Sequence, residues 1–90
     1  MHTVSAKLTL HIPYAASLKD KRQVCRSIID KSRKRFNASI SEVDTHDVHQ
    51  ILTIGVSVVS GEYNYAQNSL NEIIRFIECN TEADLIEVEV

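Results

Sequence analysis

The spacing of apolar residues changes along this chain in one order. A period of two gives way to about 3.6, returns to two in two successive stretches, goes back to about 3.6 and ends at two. Val4, Ala6, Leu8, Leu10 and Ile12 alternate with Thr3, Ser5, Lys7, Thr9 and His11, the pattern of a strand with one buried face that stops at Pro13. Ser17 followed by Asp20 has the form of a capping box with Asp in the place of Glu, so a helix should begin at Leu18. Leu18, Val24, Cys25, Ile28, Ile29, Ser32 and Phe36 then share one side of the wheel, and Asn37 is expected to close the helix in the left-handed region. "ASISEVD" and "QILTIGVSVVS" are rich in β-branched residues, which places strands near 38–44 and 50–60. After a Ser60-Gly61 break, Ala66, Leu70, Ile73, Ile74 and Ile77 return to helical spacing over 63–80, and "LIEVEV" alternates as a last strand.

The order βαββαβ in ninety residues leaves room for one core, so 1–90 reads as a single domain. The economical arrangement is a split βαβ, an α+β fold with a four-stranded antiparallel sheet in the order 4-1-3-2 and both helices on one face. Ile28, Ile29, Ile73, Ile74, Leu8, Leu10, Ile54 and Val56 should then meet in one core. Hydrophobic residues at 43%, with two Gly and one Pro, describe a chain that orders throughout. Cys25 and Cys79 form neither a disulfide framework nor a CxxC pair, which fits a reducing compartment. "MHTVSAKLTLHI" alternates instead of presenting a basic segment before an apolar run, and no stretch is long enough to span a bilayer. A cytoplasmic location and no membrane partner are the expectation.

A net charge of −2 conceals strong polarity. Residues 19–35 hold eight cations against Asp20 and Asp30, a local balance of +6 that leaves about −8 elsewhere. With Leu18 at zero on the wheel, Lys19, Arg22, Arg26 and Arg33 fall between about 40 and 100 degrees, a stripe beside the apolar face that Lys34 continues outward. Such a stripe suits an anionic partner: the phosphates of structured RNA or a ribonucleoprotein, or an acidic protein surface. The bland reading is a solvated charged face, with the cations near the helix C-terminus complementing its dipole.

Other chemistries are poorly served. "SEVDTHDVHQ" gathers Glu42, Asp44, Asp47, His46 and His49, but between two antiparallel strands such residues normally make a polar connection. It contains no helical HxxxH, no CxxC and no Gly-turned calcium loop, and nothing nearby offers a nucleophile or an oxyanion cradle. No catalytic, metal or cofactor site is expected. "IPYAAS" lacks the glycine and arginine of an acylphosphatase-like phosphate cradle and the thiol pair of a soft-metal carrier. All five aromatics lie outside or at the margins of the expected strands, so base stacking on the sheet face is disfavoured.

"LHIPYAASLKDKRQVCRSIIDKSRKRFNASISEVDTHDVHQILTIGVSVVS" resembles the YlxP-like family of small bacterial proteins, in which "SLKDKR", a basic helix, "RFN" and "EVD" follow a first strand at this spacing. The resemblance is close over residues 8–60. It implies a ferredoxin-like fold and genes neighbouring those of translation initiation and ribosome maturation, while His49 stands where the family commonly has an aromatic residue. The expectation is therefore a non-enzymatic module that meets structured RNA or a ribonucleoprotein through Lys19, Arg22, Arg26, Arg33 and Lys34. The alternative is a protein-interaction module, or a weak homodimer formed through the open sheet face or the "LIEVEV" edge.

Overall fold

The computed structural model describes all residues from Met1 to Val90. Its elements are β1 (His2–His11), α1 (Leu18–Arg35), β2 (Ser39–Asp44), β3 (Ile51–Ser60), α2 (Tyr63–Cys79) and β4 (Asp84–Glu89). The strands form one antiparallel sheet in the order β2-β3-β1-β4, which is the ferredoxin-like arrangement expected from the hydrophobic periods. β1 and β3 pair along their full lengths, from His2 opposite Ser60 to His11 opposite Ile51. Because side chains alternate across this ladder, Val4, Ala6, Leu8 and Leu10 reach the same face as Leu52, Ile54, Val56 and Val58. α2 covers these central strands with Ala66, Leu70, Ile73 and Ile77, whereas α1 lies towards β2 and buries Cys25 and Ile28.

Two expectations about the helices are corrected. Ile29 and Ile74 are only partly buried and pack on the margin of the core, because each sits at the edge of its apolar stripe. Asn37 does not close α1 in the left-handed region: Phe36 is the cap, with extended backbone (φ −124°, ψ 142°), and its N–H donates to Ser32 O. The only residue with positive φ is Thr45. At the other end of α1, the amide of Asp20 donates to Ser17 Oγ at 3.2 Å and Asp20 Oδ2 accepts from the amide of Ala16 at 3.0 Å. The reciprocal cap foreseen for Ser17 and Asp20 thus forms, with its second arm displaced one residue towards the N-terminus.

β2 carries a bulge where its register with β3 shifts between Glu42 and Asp44. The extra residue, Val43, lies across Gly55 of the neighbouring strand, and a Cβ on Gly55 would stand 2.7 Å from Val43 Cγ1. Gly55 is therefore required by close approach. Since the β-branched Val43 turns only at a cost, Gly55→Ala should destabilise the protein by about 1–3 kcal/mol through overpacking. Val43→Ala in the same chain should recover most of that loss in urea denaturation; additive losses would show that the clash is not the cause.

Candidate functional site

The helix expected to carry the site is anchored by one of its own cations. Lys21 is 1% exposed, on the same face as Cys25, Ile28 and Ser32. Its ammonium lies 3.0 Å from Glu42 Oε2 on β2 and donates to the carbonyl of Thr45. Glu42 Oε2 is inaccessible and makes no other polar contact, so the lysine is its counter-charge. An ammonium withdrawn from water is tolerable only when paired in this way. In charge alone Lys21 is one of eight cations within residues 19–35. The signal for its burial was present: at about 300 degrees on the same wheel it falls in the middle of the apolar stripe.

Thr45, the acceptor, organises the "SEVDTHDVHQ" stretch. It adopts φ 53°, a conformation that disfavours β-branched residues, and its polar groups are all engaged. Its amide donates to Asp44 Oδ1 at 2.8 Å, and its carbonyl also accepts from the amide of Val48 at 3.1 Å. Its hydroxyl lies 2.9 Å from that of Thr53 and donates to Ile51 O at 3.3 Å. These bonds turn the chain from β2 into β3. His46, Asp47 and His49 project from the turn exposed to solvent, and no group of three or more His, Cys, Asp or Glu side chains is placed to hold a metal ion.

With Lys21 facing inward, the flank beside the apolar stripe faces solvent. Arg22, Arg26 and Arg33 border one shallow groove of about 370 Å³, together with Cys25, Ile29 and Asp30. The structure thus brings together three of the five expected contact residues. Lys19 and Lys34 are exposed near the two ends of the same helix and do not line that groove. Arg33 has a second occupation, since its Nη2 donates to Ile40 O on β2 at 2.7 Å. Arg35, on the other side of the helix, lies over the rings of Phe36 and Phe76 at 5.7 and 5.3 Å from their centroids.

The eight cations of α1 therefore divide. Lys21, Arg33 and Arg35 each make a contact that the fold uses. Lys19, Arg22, Arg26, Lys31 and Lys34 make no side-chain hydrogen bond or ion pair; the ion pairs present are Lys21 with Glu42 and Lys7 with Glu89. Lys34 at least complements the negative end of the helix dipole, but Lys19 sits in the first turn, where the dipole opposes a cation.

Cys25, at the base of the arginine groove, is not a reactive thiol. Burial pushes its pKa up, the nearby Glu42 adds to the rise and Lys21 only partly offsets it.

Fold and flank together define a ferredoxin-like domain with one cationic helix flank. The whole of residues 3–90 matches the family described as "Protein of unknown function (DUF503)", and the chain belongs to that family. It is also 34% identical over 64 residues, 71% of this chain and 70% of the relative, to "Uncharacterized protein YlxP" of Bacillus subtilis (strain 168). The resemblance carried by "SLKDKR", "RFN" and "EVD" is borne out.

Lys21→Met and Glu42→Leu, made singly, should each cost about 3 kcal/mol, because each strands the other charge. The double variant should recover much of this in a denaturant double-mutant cycle; strictly additive losses would contradict the pairing. For Cys25 the folded thiol keeps its proton at pH values where the unfolded thiol has lost it. Its contribution to stability is complete below the ordinary thiol pKa and is lost as pH rises through the higher folded value. Cys25→Ala should flatten the alkaline fall in stability, and thiol reagents should label Cys79 in the native protein well before Cys25.

Proposed function

We propose that this protein is a non-enzymatic cytoplasmic binding module that holds structured RNA, or the RNA of a ribonucleoprotein, by its phosphates along the outer flank of α1. One observation carries the reading: Arg22 and Arg26 line a groove with Arg33, and neither makes any hydrogen bond or ion pair within the chain. Arginines that neither pack into a core nor neutralise an acid raise the potential of one face, and a phosphate backbone is the partner that uses such a row. Arg33 keeps its charge while bonded to the carbonyl of Ile40, so it still contributes to the field. Lys19 and Lys34 extend the cationic flank towards the ends of the helix. Recognition through phosphates and helix shape requires no aromatic residue on the sheet. The two free cysteines suit the reducing cytoplasm, and no helix is long and apolar enough to cross a membrane.

A second reading has its own support. β4 is an edge strand, and Ile86 and Val88 on it are 59% and 42% exposed, so a second copy could pair along that edge. Sedimentation equilibrium at micromolar concentration tests it, and a monomer throughout removes it.

For the first reading, affinity for a structured RNA hairpin should fall steeply as salt rises, by a logarithmic slope of about 0.9 for each phosphate neutralised. Arg22→Gln with Arg26→Gln should weaken binding to every hairpin sequence and reduce that slope by about 1 or more, with stability nearly unchanged. Adding Arg33→Gln should weaken binding further but also cost about 1 kcal/mol of stability, because the bond to Ile40 goes with it. A matched acidic polypeptide is the control. If it binds and the hairpins do not at low salt, the partner is protein.

A further inference from the structure

The end of α1 carries a second groove, remote in character from the arginine flank. Phe36 and Asn37 wall it from the exit of α1, Val58 and Val59 from β3, and Tyr65, Ser69 and Glu72 from α2, with Arg35 at its margin. Its volume of about 420 Å³ lies within the roughly 300–1,000 Å³ of small-ligand sites. Tyr65 is 65% exposed, and its ring is part of no aromatic pair within the chain. Arg35, by contrast, is held in place by Phe36 and Phe76, whose rings meet edge to face at 5.4 Å. The side chains of Asn37, Ser69 and Glu72 make no hydrogen bond inside the protein; the side-chain bonds of α2 are those of Gln67 to Asn71 and of Asn80 to its own helix end.

An exposed ring, a fixed guanidinium and unpaired amide, hydroxyl and carboxylate groups around one hollow are the elements that recognise an unstacked base: a planar surface below, donors and acceptors at its edge. We propose that this groove is a nucleobase site, in which one unpaired base of an RNA lying along α1 stacks on Tyr65 and bonds through its edge to Asn37 and Glu72. This rests on the RNA reading of α1 and deepens it, because the last turn of α1 serves both grooves: Arg33 borders the first and Arg35 the second. A strand whose phosphates follow the arginine flank to the C-terminal end of α1 arrives at the helix turn that borders this groove, where an unpaired nucleotide can turn in. Paired RNA offers no such base, so the site selects bulged or looped RNA over a continuous duplex. Glu72 adds a preference, since a carboxylate accepts from an exocyclic amino group and repels a carbonyl edge.

Two measurements on the full chain test the site apart from the α1 flank. In the first, nucleoside monophosphates are titrated into isotope-labelled protein, with inorganic phosphate as the control. The amides of Asn37, Tyr65 and Ser69 should shift with the nucleotides, more with cytidine or adenosine than with uridine monophosphate, and stay in place with phosphate alone. In the second, a hairpin with a single-base bulge is compared with a fully paired hairpin of equal charge. Tyr65→Ala should lose about tenfold on the bulged hairpin and nothing on the paired one, whereas Arg22→Gln with Arg26→Gln should weaken both. Nucleotide shifts in the groove without hairpin binding would keep the base site and refute the α1 reading. Salt-sensitive hairpin binding with an unmoved groove and a neutral Tyr65→Ala would do the reverse. Groove shifts with an acidic peptide and none with nucleotides would overturn the base site in favour of a protein ligand.

Discussion

Lys21 and Glu42 decide how α1 sits on the sheet. The apolar stripe of that helix is thin, with Cys25 and Ile28 buried and the small polar Ser32 beside them, and a stripe of this kind would pack almost as well after a small roll or slide. An ammonium that must find both a carboxylate on β2 and the carbonyl of Thr45 has far fewer acceptable positions. Removing two charges from water offsets most of what their attraction contributes, so the pair sets orientation more than it adds net stability. Ser32 contributes in a quieter way: its buried hydroxyl donates back to Ile28 O at 2.7 Å, so it occupies the core without an unmet polar group.

That orientation has consequences on both sides of the helix. Outward, it sets Arg22, Arg26 and Arg33 along one groove. Arg33 then covers part of the strand's free edge by bonding Ile40 O, and the bulge at Val43 bends the same edge out of register. Covered carbonyls and bulges both discourage another strand from adding to the sheet. The opposite edge is managed differently, with Glu87 and Glu89 along β4 and a register shift between Thr9 and Leu10 of its partner. Towards α2, the same orientation delivers Phe36 to Phe76 and lets Arg35 lie over both rings.

Much of this was legible in the residues, for reasons that differ by element. The strands and helices follow from hydrophobic period, a local property, and their observed limits fall within one or two residues of those expected. Ser17 was readable as a cap because its partner Asp20 is three residues away. The inward position of Lys21 was legible on the wheel, but its partner was not, because Glu42 belongs to a different element and only the tertiary fold brings the two together. Asn37 misled because chain direction at Phe36 is set by the need to enter β2 extended, which overrides Asn's tolerance of the left-handed region. Thr45 took that conformation instead, as five hydrogen-bonding partners outweigh the local preference of a β-branched residue. Val43 over Gly55 was equally hidden, since a bulge is a property of two strands.

The same separation of local from tertiary causes bears on function. A basic helix alone is weak grounds for an anionic partner, because cations serve solubility, dipoles and packing as readily as binding. Once each cation of α1 is matched with what it touches, Lys21, Arg33 and Arg35 are explained by the fold and Lys34 by the negative end of the helix, while Lys31 stands alone on the opposite flank. Lys19, Arg22 and Arg26 remain. They follow one another at helical spacing in the first half of α1, with Lys19 in the first turn where the dipole favours acids; they repel one another across successive turns and gain no internal partner in return. A chain of pI about 6.0 that places such a group at that end of a helix pays a small electrostatic cost in the free state. A bound anion reverses that cost: the repulsion that stands against the free protein becomes attraction to the ligand, and the three residues without a structural role acquire one.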